Sequence, residues 1–176
     1  MRARLAALAL AVAFALPAQA QSFMGDVHQD LNGAQKKILD LANGGPGSAY
    51  GYHPNGARTV GEVLMHIAAD NYYIPGALGT PAPAATGITT DYKTASAFEK
   101  RKLTKAQVIA DLTASFQFLH RSIPANDATA NDKVKFFGMD MTRRAAILGT
   151  VADLHEHLGQ LIAYARANNV VPPWSK

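Results

Sequence analysis

The sequence predicts an all-α protein, a four-helix bundle with long crossover connections, preceded by a cleavable signal peptide. Three observations predict it. Four segments repeat apolar residues at alternating spacings of three and four, the period of a helix face. No segment sustains the apolar–polar alternation of a half-buried strand bounded by turn residues. The stretches between the helical segments are long and rich in Gly, Pro, Ala and Thr, which suits crossovers better than tight helical hairpins.

The chain opens with Arg2 and Arg4, followed by an apolar run of 12 residues from Leu5 to Leu16. Pro17-Ala18-Gln19-Ala20 then places small residues at the A-x-A positions of a cleavage site. The run is shorter than the roughly 20 residues that cross a bilayer. Residues 1–20 therefore read as a signal peptide, and residues 21–176 as one domain with one core. Of the 176 residues, cutting after Ala20 leaves 156; the lost segment holds two Arg and no acid, so the net charge falls from +4 to +2. No basic stripe remains to track phosphates, and nucleic acid is not an expected partner. The run Lys100-Arg101-Lys102 reads as a solvated helix edge. There is no cysteine, hence no disulfide, no thiolate ligand, no thiol nucleophile and no lipid-accepting Cys after the signal. The expected destination is the periplasm or the outside of the cell, with no membrane span after cleavage.

The first helix shows Met24, Val27, Leu31, Ala34, Ile38 and Leu41 on one face and stops at Asn43-Gly44-Gly45-Pro46. The second starts at Thr59, where Thr59-Val60-Gly61-Glu62 matches a capping box. Val60, Val63, Ile67 and Ile74 form its apolar stripe, and Pro75-Gly76 marks its approximate end. The third starts at a second capping box, Thr104 to Gln107, carries Ile109, Leu112, Phe116, Leu119 and Ile123, and ends at Pro124. The fourth follows Thr142 and runs to about Asn168, with Ile147, Val151, Leu154, Leu158, Leu161 and Ala165 on its apolar face. Pro172-Pro173 forbids its continuation. A short extra helix is expected near Ala95–Lys102. Trp174 docks on the bundle or on a second copy of the chain, so a homodimer is a candidate assembly.

Chemistry is sought among six histidines, His28, His53, His66, His120, His155 and His157. Residues i and i+4 share a helix face. Asp153 and His157 have that spacing, and Gln160 and Tyr164 continue the face. His155 falls on the other shoulder of the apolar stripe and is not a co-ligand of His157. On the second helix His66 shares a face with Glu62, Asp70 and Tyr73. Glu62 is occupied by the capping box, while Asp70 is placed to accept a ring N–H of His66, a supporting role common beside metal-bound histidines. His66 joined to Asp153 and His157 makes a 2-His-1-carboxylate set, which leaves coordination positions open.

The stretch Asp153-Leu154-His155-Glu156-His157-Leu158-Gly159-Gln160, continuing through Tyr164 and Arg166 to Val170-Val171-Pro172-Pro173, resembles the last helix of the DinB-like (YfiT-like) metalloenzyme family. Arg58 to Tyr73 resembles that family's second helix, and the likeness spans essentially the whole of residues 21–176. The resemblance implies a divalent metal held by one His of helix two and an H-x-x-x-H pair of helix four. His66 matches the first ligand and His157 the last. The middle ligand falls on Asp153 instead of His. That departure implies either a harder site able to take Zn, Ni, Fe or Mn, or a degraded one.

Family members include thiol-dependent transferases and isomerases. An exported chain without cysteine fits that chemistry poorly, so metal-dependent hydrolysis of a small-molecule substrate is the better enzymatic expectation. Tyr73, Gln160 and Tyr164 are candidates for orienting substrate. A non-catalytic, stress-related binding protein with a degraded metal site remains the alternative, and a plain helical scaffold a third reading.

Overall fold

The computed structural model describes residues 22–45 and 47–175. The expected signal peptide lies outside the described residues. The described chain is mostly helical, with five α-helices and one small β-hairpin: α1 (Phe23–Gly44), α2 (Val60–Ala77), α3 (Tyr92–Glu99), α4 (Lys105–Ser122), β1 (Lys133–Phe136), β2 (Met139–Thr142) and α5 (Arg143–Ala167). Four single-turn 3-10 segments punctuate the connectors.

Helix α1 begins where Ser22 Oγ accepts the Gly25 N–H at 3.0 Å. A Cβ on Gly25 would sit 2.9 Å from that oxygen, so the cap and the glycine go together. The Phe23 and Met24 amides donate to the Asp127 carboxylate at 2.9 and 2.8 Å, tying this end of α1 to the connector after α4. Two orphan donors are thereby satisfied and a negative charge meets the positive helix end. All six expected stripe residues of α1 are buried.

Both expected capping boxes are present. Thr59 accepts from the Glu62 amide while Glu62 accepts from the Thr59 amide, and Thr104 and Gln107 repeat the exchange. Helix α2 is more deeply enclosed than its expected stripe implied. Leu64, Met65, Ala68, Ala69, Asn71, Tyr72 and Tyr73 are buried beside Val63, Ile67 and Ile74. The reason is its position: α2 touches α3, α4 and α5, so apolar contacts surround it. It passes through Pro75 and ends at Ala77. One buried polar contact, Asn71 Nδ2 donating to Ser115 Oγ at 3.0 Å, ties α2 to α4.

Helix α1 packs on α5 and α4, and α2 packs on α4 and α5. The core fills the space between these four, with Met24, Leu31, Ile38, Leu64, Leu112 and Phe116 all fully buried. Each such side chain contributes about 1.5–3 kcal/mol of apolar transfer energy. In α4 the buried face is carried by Val108, Leu112, Ser115, Phe116, Phe118 and Leu119, and the expected Ile109 is only half-buried. No helix of the described residues is long and apolar enough to cross a membrane.

Two expectations need correction. The short helix expected at Ala95–Lys102 lies at Tyr92–Glu99, because Asp91 caps it by accepting from the Lys93 amide at 3.0 Å. The expectation of no strands fails between Lys133 and Thr142, where β1 and β2 pair antiparallel with Phe136 opposite Met139. Strands of four residues are too short for alternation to register, and the turn between them, Phe137-Gly138, lacks the usual Asn-Gly. Trp174 lies beside α1, with Lys37 Nζ 5.9 Å from its ring centre.

Candidate metal centre

The neighbouring helices α2 and α5 each project an i, i+4 pair of one His and one Asp. On α2, His66 Nε2 lies 3.2 Å from Asp70 Oδ2. On α5, His157 Nε2 lies 3.6 Å from Asp153 Oδ1. The two imidazoles meet at right angles, ring centres 4.7 Å apart. Donor atoms of His66, Asp70 and His157 all fall within 4.8 Å of one another.

These separations fit a cation. Two ligand atoms about 2.1 Å from a tetrahedral ion stand about 3.4 Å apart. Within the cluster the His66–Asp70 pair, at 3.2 Å, lies close to that value, and Asp153 stands 3.6 Å from His157 beside it. His157 Nε2 is also buried with no hydrogen-bond partner among the described residues, a costly arrangement for a ring nitrogen unless something binds it. A half-buried pair of imidazoles with a carboxylate is a donor set suited to Zn, Ni, Fe or Mn.

The residues behind the rings fix their orientation. Glu99 Oε2 accepts from His66 Nδ1 at 3.0 Å, and Arg58 Nε donates to Glu99 Oε1 at 2.6 Å. Because a carboxylate only accepts, the His66 proton sits on Nδ1 and Nε2 is left to face Asp70. A metal-bound histidine is commonly held by a carboxylate in this way. On the other side, His157 Nδ1 lies 3.5 Å from Gln160 Oε1, and Gln160 Nε2 donates to Tyr164 Oη at 2.8 Å. An ordered chain thus runs from Arg58 through Glu99 to His66, and a second from Tyr164 through Gln160 to His157.

The electrostatics follow from burial and neighbours. Burial, the carboxylate of Asp153 and that of Glu99 push Asp70 up from 3.8 to about 6, although the His66 charge opposes this. For His66, burial works downward, but the hydrogen bond to Glu99 and the charges of Asp70 and Glu99 win and raise it. Burial lowers His157, which favours the neutral, ligating form. Burial would raise Glu99 too, yet its bonds to His66 and Arg58 hold it below its usual value. Three carboxylates crowd two histidines and one arginine here, and a divalent cation would relieve that crowding.

Of the residues singled out from the sequence, His66 and His157 are brought together. Asp153 stands beside His157 with its side chain 42% exposed and lines the cleft next to the site, outside the three-residue cluster. Asp70, 16% exposed, occupies the inner place beside His66. The supporting partner of His66 expected to be Asp70 is Glu99 at Nδ1, and Asp70 faces Nε2 instead. Glu99 and Arg58 escaped sequence reasoning: Glu99 is on α3, and no helix periodicity links it to His66. His155 is directed away, pairing with Asp30 of α1 at 2.7 Å. His28 and His120 stack at 5.9 Å on another part of the molecule. Compared with known proteins, the chain matches no family model and no curated relative.

Proposed function

We propose that this chain is an exported member of the DinB-like metalloenzymes, a four-helix bundle of α1, α2, α4 and α5 that binds a divalent cation for hydrolysis of a small-molecule substrate. One observation carries the reading: His66, Asp70 and His157 converge, and the buried Nε2 of His157 has no hydrogen-bond partner among the described residues. A cation in this place supplies Lewis acidity toward a carbonyl or similar group.

His66, Asp70 and His157 would hold the cation as two imidazoles and one carboxylate, and His66 and Asp70 also line the adjoining cleft. Asp153 has two roles within reach. It is a further or alternative ligand through its contact with His157, as the sequence resemblance implies, or it accepts the proton of the attacking water from its exposed place on the cleft. Glu99 and Gln160 keep the two rings aimed. With no cysteine in the chain, a protein thiol takes no part.

The test is metal analysis of protein purified without a histidine tag. The native chain should carry about one Zn, Ni, Fe or Mn per molecule, and His66→Ala and His157→Ala should lose it, since each supplies a principal ligand. Retention of metal by both variants sinks the reading. Asp70→Asn and Asp153→Asn tested side by side decide which carboxylate is the ligand. A screen of ester and amide substrates with and without chelator then tests hydrolysis.

A further inference from the structure

The hairpin places one residue where its chemistry is awkward. Phe137 has φ 48° and Gly138 φ 81°, so both residues of the turn are left-handed. Two-residue turns of this kind favour Asn-Gly because a bulky side chain is strained there. Phe137 is nonetheless an aromatic residue, and 55% of it is exposed. Its neighbour Phe136, only 7% exposed, already supplies the apolar anchor of the hairpin. Strain at an exposed apolar side chain is an observation that asks for a function.

The surroundings of Phe137 supply one. Its ring stacks on Tyr73 at 6.1 Å, and Tyr73 meets Tyr92 edge-on at 5.6 Å. These rings line a cleft of about 310 Å³ that His66, Asp70 and Asp153 also line. That volume is at the lower end of small-molecule pockets, which are largely apolar with a few convergent polar groups. Aromatic rings come from three separate segments: α2, the start of α3 and the hairpin turn.

The geometry points to an aryl-recognition subsite, in which Phe137, Tyr73 and Tyr92 bind the aromatic part of a substrate whose carbonyl-type head reaches His66 and Asp70. The inference rests on the metal reading for the head group alone. The aromatic rings select which substrate enters, and Phe137 contributes to them from the hairpin turn instead of from a core helix.

The zinc-loaded full chain is titrated calorimetrically with acetohydroxamate and benzohydroxamate. The two share a chelating head and differ in methyl against phenyl. Benzohydroxamate should bind about tenfold tighter or better, as expected when a ring is buried against aromatic partners. Phe137→Asn should remove most of that preference and leave acetohydroxamate affinity unchanged. The same variant should melt within about 2 °C of the native chain, because relief of the left-handed strain offsets the lost ring contacts with Tyr73 and Phe136. An aryl preference absent from the native protein, or undiminished in Phe137→Asn, overturns the subsite. Failure of zinc to bind would count against the metal reading and appears before any hydroxamate is added. The subsite is then read on metal-free protein, where benzyl alcohol should shift the Phe137 and Tyr92 ring resonances; unmoved resonances refute it.

Discussion

Asp70→Asn is expected to move stability and metal binding in opposite directions. In the metal-free protein the Asp70 carboxyl is raised from 3.8 to about 6, chiefly by burial and then by the charges of Asp153 and Glu99. A raised carboxyl contributes stability that is complete below about pH 3.8 and is lost as pH climbs through about 6. A shift of about two units corresponds to about 3 kcal/mol at 1.36 kcal/mol per unit. The charge of His66, 3.2 Å away, opposes this rise and is already contained in it. The gain on removing the charge is therefore about 2–3 kcal/mol near pH 7.5 and close to zero near pH 4. Asparagine keeps the shape and a carbonyl oxygen for His66, so packing is preserved. Urea unfolding in the presence of chelator, at both pH values, reads this difference directly. Zinc at about 100 times its dissociation constant stabilises the native protein by about 2.7 kcal/mol, and the variant should lose most of that increment. A metal-free variant less stable than native at pH 7.5, with the zinc increment intact, would refute the electrostatic reasoning.

Three further outcomes follow from the same geometry. Glu99→Gln should weaken zinc binding by about 10–100-fold in a chelator competition, because the His66 ring loses the carboxylate that orients it. Zinc affinity should rise with pH across about 5.5 to 7.5, by about tenfold or more, since binding must displace the proton of the raised His66 and the Asp70 carboxyl must ionise; the same titration at several pH values checks it. Phe116→Ala, at a fully buried site in α4, should cost about 3–5 kcal/mol in urea unfolding without changing the ligands of the site.

The four long helices were legible in the sequence because each carries a stripe that repeats over several turns, and α2 and α4 add an explicit start signal. The Thr59–Glu62 and Thr104–Gln107 boxes form as their spacing implies. The hairpin was not legible. Its strands pair through only four residues each, and Phe137 stands where Asn would have announced a turn. At the site, helical spacing placed His66 with Asp70 and Asp153 with His157, and both pairs exist. Spacing along one helix cannot rank two such pairs by depth, however. That Asp70 lies inside and Asp153 toward solvent depends on how α2 and α5 pack. Glu99 reaches His66 across the loop between α2 and α3, a long-range contact that local periodicity does not encode.

The two His–Asp pairs have a mechanical consequence as well as a chemical one. His66 and His157 stand 91 positions apart along a chain that holds no disulfide. An ion gripped by both would act as a reversible cross-link, closing a loop of that length. In the chain-entropy picture such a closure restricts the unfolded ensemble by about 4–5 kcal/mol, comparable to a long-range disulfide. A protein made without cysteine would then draw its one covalent-like staple from its surroundings, and its resistance to unfolding would vary with the supply of metal.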